Sequence, residues 1–172
     1  MIRFVNIVVA FLFIAGLSES ADDLLTFDIR QLEGKWQGTA DVEIIGTGTK
    51  LELEGTSTFA FDSSGTRLLT TVEAGKYMLT YKAQGWLYED EKSDSVVWEM
   101  NSSRGRRVQY KGAVRDGTLQ GRFLGRYGTF RAELEFRHID TVEIRIDRTE
   151  GNGTVTRVTD GIWWRVPSDT GP

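Results

Sequence analysis

Apolar and polar residues alternate along most of this chain with a period of two. Trp36, Gly38, Ala40, Val42 and Ile44 share one parity, while Gln37, Thr39, Asp41 and Glu43 share the other. After Gly46-Thr47-Gly48, Leu51, Leu53, Ser57, Phe59 and Phe61 alternate with Glu52, Glu54, Thr56 and Thr58. Successive side chains of a strand point to opposite faces, so each run predicts a strand with one wet and one dry face. Further strands are predicted over 66–74, 76–83, 85–89, 95–101 and 106–115. Asp116-Gly117 has the chemistry of a tight hairpin turn. Beyond it Leu119, Phe123 and Tyr127 share a parity, and Phe130, Ala132, Leu134 and Phe136 oppose Arg131, Glu133, Glu135 and Arg137. Val142, Ile144 and Ile146 oppose Glu143, Arg145 and Asp147, and a last strand ends at Trp163-Trp164-Arg165-Val166.

Nine or ten antiparallel strands joined by short turns form a meander, which must close or stack to hide its edges. The expectation is an all-β fold: a single antiparallel up-and-down β-barrel of nine to ten strands, with a β-sandwich as the rival. Ahead of it, Leu24, Leu25, Phe27, Ile29 and Leu32 predict a short N-terminal helix or packed lead-in, capped by Asp22 or Asp23.

Residues 1–20 read as a signal peptide. Arg3 supplies the positive start, Phe4 to Leu17 form an apolar run broken by Asn6, and Ser18 and Ser20 place small side chains before a cleavage ahead of Ala21. A membrane anchor is the rival, but a spanning helix needs about 20 apolar residues, and Ser18-Glu19-Ser20 ends this run early. The expected organisation is a signal at 1–20, a barrel domain at 21–166 and a disordered tail at 167–172. The expected location is secreted or periplasmic, with no stable membrane anchor after cleavage.

Composition narrows the chemistry. The 172 residues include no cysteine and one histidine, His138. That excludes disulfide scaffolds, thiol nucleophiles, cysteine-ligated metals and multi-histidine metal sites. No metal and no cofactor is expected. Charge is unevenly spread: residues 21–100 carry 7 Lys/Arg against 15 Asp/Glu, and residues 101–166 carry 13 against 8. An anion-binding surface is one reading; mutual neutralisation of sequence-distant strands across the ladder is the one preferred. A sequence pI near 5.1 argues against nucleic acid as a partner.

Leu32-Glu33-Gly34-Lys35-Trp36-Gln37-Gly38, at the head of the meander, resembles the Gly-x-Trp opening of the calycin superfamily, which includes lipocalins, fatty-acid-binding proteins and nitrobindin-like barrels. Asp160-Gly161-Ile162-Trp163-Trp164-Arg165 is similar to the ending of those chains, where a late arginine packs over the opening tryptophan. The nearest likeness is to bacterial exported lipocalin-like domains. It implies a barrel that encloses a small apolar molecule. The disulfides of secreted animal lipocalins and the histidine segment of the heme-binding barrels have no counterpart here.

The inward set mixes large residues with small ones such as Gly38, Ala40, Ser57, Gly112, Gly121 and Ala132, which suits either a cavity or tight packing of bulky neighbours. Candidate cavity residues are Phe59, Phe61, Tyr81, Trp98, Tyr110, Phe123 and Phe136, with Tyr77, Tyr81, Tyr110 and Tyr127 as possible hydroxyl donors. Trp36 and Arg165 are expected as a structural pair at one barrel end. His138 is expected as a hydrogen-bonded strand-end residue, and Arg104-Gly105-Arg106-Arg107 as a turn. Glu89-Asp90-Glu91 with Asp94 reads as a hydrated loop rather than a calcium site. No catalytic residue stands out. The functional expectation is a non-catalytic binder of a small hydrophobic or amphipathic molecule. A filled barrel acting as an interaction or scaffold protein outside the cytoplasm is the alternative, and a calycin-type lyase or isomerase is the third reading.

Overall fold

The computed structural model describes residues 26–76 and 79–167. The predicted signal, Asp22, Asp23, Leu24, Leu25, Tyr77 and the tail beyond Pro167 lie outside the described residues. Ten strands follow one another: β1 (Gly34–Ile44), β2 (Thr49–Phe61), β3 (Arg67–Lys76), β4 (Leu79–Asp90), β5 (Ser95–Ser102), β6 (Arg107–Arg115), β7 (Thr118–Gly125), β8 (Gly128–His138), β9 (Thr141–Thr149) and β10 (Val155–Arg165). Each is antiparallel to the next, and β10 pairs back onto β1 over Trp36↔Arg165 to Val42↔Thr159. The result is a closed up-and-down barrel, which leaves no open sheet edge.

Alternation sets the inside and outside of the wall. Leu68, Thr70, Val72 and Ala74 of β3 are buried while Arg67, Leu69, Thr71 and Glu73 are exposed. Val142, Ile144, Ile146 and Arg148 of β9 are buried in the same rhythm. Turn chemistry fits as well, since Asp116 and Gly117 have φ of 50° and 76°, the two left-handed residues that a tight hairpin of this hand requires.

Three local expectations change. Lys76 ends β3, and the described part of the run 76–83, from Leu79 on, joins the run 85–89 in one strand, β4, because the ladder passes through Gly85 unbroken. A Cβ at Gly85 would collide with the Glu99 carbonyl oxygen, so its missing side chain marks close backbone approach rather than a break. In β1 the inward rhythm ends at Val42, and Ile45, rather than Ile44, is buried. The lead-in contains a 3-10 turn, Ile29–Leu32, and its cap is Asp28. The Arg30 backbone N–H donates to Asp28 Oδ1 at 2.8 Å, and the Asp28 N–H donates to Gln31 Oε1 at 3.3 Å.

That lead-in stoppers one end of the barrel. Phe27, Ile29 and Leu32 are buried, and the Phe27 N–H donates to the Gly117 carbonyl at 3.0 Å. The turns at this lead-in end are 62–66, 91–94, 116–117 and 139–140; those at the far end include 45–48, 103–106, 126–127 and 150–154.

The sequential strand order also revises the charge picture. Strands β1–β5 form one continuous arc of wall and β6–β10 the other, so the acidic and basic halves meet only at two seams. Among the described residues, the ion pairs joining the halves are Arg107–Glu99 (3.1 Å), Lys111–Asp90 (3.8 Å) and Arg148–Glu43 (4.0 Å). Most arginines instead pair within their own arc, as Arg137 does with Glu143 at 2.7 Å and Arg157 with Asp147 at 2.5 Å. Each of those guanidinium groups is held protonated more firmly than usual, first by its hydrogen bond to that carboxylate. Wholesale neutralisation across distant strands therefore does not occur.

Candidate functional site

The interior is closed at the lead-in end, while several inward side chains of β4, β5 and β6 are only partly buried. Trp36 is fully buried, donates its indole N–H to the Leu32 carbonyl at 2.7 Å, and lies 6.4 Å from the Phe136 ring. Phe136 in turn lies 5.5 Å from Phe27, so this predicted cavity residue belongs to the stopper. Arg165 caps the stack, with its guanidinium carbon 4.4 Å from the centre of the Trp36 ring. It donates to the carbonyls of Gln31, Glu33 and Ile139 and to Asp140, tying the lead-in, the 139–140 turn and β10 together.

Two groups of small residues turn out to be seats for large ones. A Cβ on Gly38 would run into the Trp163 indole. Cβ atoms on Gly112 and Gly121 would meet Tyr110, whose hydroxyl passes over them to donate to the Ala132 carbonyl at 3.3 Å. Tyr110 is thus committed to the wall rather than to a ligand. Burial, helped by nearby Glu133, pushes its hydroxyl well above the ordinary tyrosine range. Phe123 stacks on Phe130 with centroids 4.8 Å apart, filling the inside of β7–β8.

The looser side lies along β4, β5 and β6. Tyr81, Trp98, Met100 and Val108 carry the inward parity of their strands yet are only partly buried, and so are Phe61 and Tyr127. Their ladder partners explain the room: Ala74 faces Tyr81, and Gly85 faces both Thr70 and Met100. Phe59 forms the back of this region, its ring centre 6.0 Å from Trp98 and 6.0 Å from Trp163. Burial pushes the Tyr81 hydroxyl above its ordinary range. Of the predicted cavity residues, Phe59 and Trp98 come together here, whereas Tyr81 stands farther along β4 from Leu87, the ladder partner of Trp98; Phe61 sits near the lead-in end beside Leu68, and Tyr110, Phe123 and Phe136 are used in packing.

Polar atoms inside the barrel distinguish it from an ordinary core. Ser57 Oγ, Thr70 Oγ1, Thr159 Oγ1, Trp98 Nε1 and Arg148 Nε are buried without a hydrogen-bond partner among the described residues. Burying such a group unpaired costs about 1–3 kcal/mol, so five in one interior call for water or a ligand. Sequence reasoning did not single out Thr70, Thr159 or Arg148. Parity would have found two of them, because Thr70 continues Leu68 and Val72, and Arg148 continues Ile144 and Ile146. Arg148 pairs with Glu150 at 2.7 Å and more distantly with Glu43.

Other candidates fall away. His138 is exposed at the end of β8, after a register shift between Phe136 and His138. Arg104 to Arg106 form a turn, with Gly105 at φ 72° donating to the Ser102 carbonyl at 2.9 Å, while Arg107, expected in the same turn, opens β6. Among the described residues there is no cluster of potential metal ligands, and no helix is long and apolar enough to cross a membrane. One groove on the outer wall, of 880 Å³, is lined by Gln37, Glu54, Thr56 and Glu73 together with Trp164. The chain matches no protein-family model and none of the curated proteins compared with it.

Proposed function

We propose that this protein is an exported, lipocalin-like barrel that binds a small amphipathic molecule without transforming it. The observation that carries this reading is the unpartnered polar set, Ser57, Thr70, Thr159 and Trp98, in a barrel whose inward side chains Tyr81, Trp98, Met100 and Val108 on β4–β6 are only partly buried. A ligand with an apolar body would lie against Phe59, Trp98 and Met100, and its polar group would accept from Trp98 Nε1 or exchange hydrogen bonds with the hydroxyls. The Gly-x-Trp opening, the Trp36–Arg165 stack and the closed ten-strand meander support a place among calycin-like barrels.

A filled barrel serving as a scaffold is the second reading. Trp163 in the Gly38 seat and Tyr110 over Gly112 and Gly121 favour it, because they occupy space that a ligand would otherwise use. Native mass spectrometry on protein purified gently from its exporting host separates the two. Excess mass that vanishes on denaturation, together with an extractable small molecule, is the expected result. A mass equal to the bare chain, with no binding of amphipathic dyes that displace water from Trp98, would transfer the assignment to the scaffold.

A further inference from the structure

The two ends of the barrel differ in charge. At the lead-in end, the segments outside strands carry Asp28, Glu33, Asp62, Glu91, Asp94, Asp116 and Asp140 against Arg30 and Lys92. At the far end the described turns carry Arg104, Arg106 and Arg126, with Lys50 one residue into β2. The acid among those turns, Glu150, is occupied by Arg148 at 2.7 Å. Arg104, Arg106, Arg126 and Lys50 are exposed and take part in no ion pair among the described residues.

Apolar exposure is concentrated at the same end. Leu124 and Val155 are the most exposed large apolar side chains described, at 83% and 62%. The register puts them on one outer row, since Leu124 faces Thr129, Thr129 faces Thr149 and Thr149 faces Val155. Arg126 is two residues from Leu124 in the 126–127 turn. Protruding apolar tips flanked by cations outside any ion pair, Arg126 among them with its guanidinium carbon 5.6 Å from the centre of the Tyr127 ring, fit the boundary between anionic headgroups and acyl chains.

We propose that the far end is a reversible docking surface for an anionic lipid bilayer, with the acidic lead-in end facing away. A soluble polyanion would satisfy the arginines but would gain nothing from Leu124 and Val155. The contact stands whether or not the interior holds a ligand.

The test exploits the absence of cysteine. A single cysteine carrying an environment-sensitive fluorophore is placed by Leu124→Cys at the far end or by Ser63→Cys in the exposed 62–66 turn of the full chain. Each protein is mixed with phosphatidylcholine vesicles, with or without phosphatidylglycerol. The expected result is a blue shift at position 124 only, on anionic vesicles only, that weakens as salt screens the charges. Each cation near such a surface is worth roughly fivefold in affinity, so Arg104→Gln/Arg106→Gln/Arg126→Gln should lower binding about a hundredfold. An equal shift on neutral vesicles, a shift at position 63 instead, or unchanged binding of the triple variant would overturn the proposal. So would a shift at position 124 produced by dextran sulfate but not by vesicles, which would make the end a site for soluble polyanions.

Discussion

The guanidinium carbon of Arg165 lies 4.4 Å from the centre of the Trp36 ring, and the same group holds the lead-in by the Gln31 and Glu33 carbonyls. One side chain therefore joins the last strand, the first strand and the segment that stoppers the barrel. Trp36→Ala should cost about 3–5 kcal/mol in urea unfolding, because a fully buried indole is lost with no room for collapse around it. Arg165→Lys should also destabilise, since an ammonium cannot reach several carbonyls and Asp140 together. Both variants should retain affinity for an interior ligand once folded. A melting temperature unaffected by Trp36→Ala would refute the stopper role.

Tyr110 gives the barrel a pH dependence in alkali. Its hydroxyl titrates higher in the fold than in the unfolded chain, where it follows the ordinary value of 10.0. The folded state then holds the proton longer than the unfolded state, so this contribution is present below pH 10 and is lost as the pH rises through and above it. Tyr81 acts in the same direction. Tyr110→Phe should cost about 0.5–1.5 kcal/mol at neutral pH, for one hydrogen bond, and should flatten the decline above pH 10. An equally steep decline in the variant would assign it elsewhere.

Gly121 should tolerate no side chain. A Cβ there falls 2.6 Å from Tyr110 Cζ and against the Lys111 carbonyl, so Gly121→Ala must displace the ring or the ladder. The expected loss is about 1–3 kcal/mol, the usual cost of overpacking, and Tyr110→Ala in the same chain should relieve part of it. Additive losses in the double variant would show that the two residues do not share this space.

The interior hydroxyl of Thr70 predicts a gain rather than a loss. Thr70→Val keeps the shape and removes an unpartnered buried hydroxyl, so the ligand-free protein should become more stable by about 1–2 kcal/mol. Affinity for a ligand that uses the hydroxyl should fall. Thr159→Val provides an independent repeat near the opposite end of the interior. Destabilisation in both variants would mean that the hydroxyls are already satisfied by ordered water.

Arg148 is buried with a 7% exposed side chain beside Glu43, which is itself only 12% exposed. Arg148→Ala should cost about 3–5 kcal/mol by stranding that carboxylate. Adding Glu43→Gln should recover a measurable share of the loss. A single-variant cost below about 1 kcal/mol would place Arg148 among the weak surface pairs.

Much of this architecture was legible in one dimension. Strand faces follow from alternation, since a period of two has one geometric reading, and turns such as Asp116-Gly117 declare themselves through the backbone angles their residues tolerate. Trp36 and Arg165 could be named because the opening and the ending of the chain resemble those of calycin barrels, in which a late arginine packs over the first tryptophan. The local sequence could not tell a seat from a cavity. Gly38 and Gly121 look like empty space until Trp163 and Tyr110, many strands or a full ladder step away, are laid across them. Gly85 looked like a break because its partner is the backbone of β5, which no pattern in β4 records.

The sequence by itself thus determined the class of fold, the inward and outward faces and the composition of each turn, because these depend on residue type and on neighbours a few positions apart. Only the tertiary structure decided which inward residues fill the barrel, which polar atoms are left unpaired, and that the acidic and basic turns gather at opposite ends. Those properties depend on register and closure, which set distances between residues far apart in the chain, and a one-residue change in register would alter every one of them.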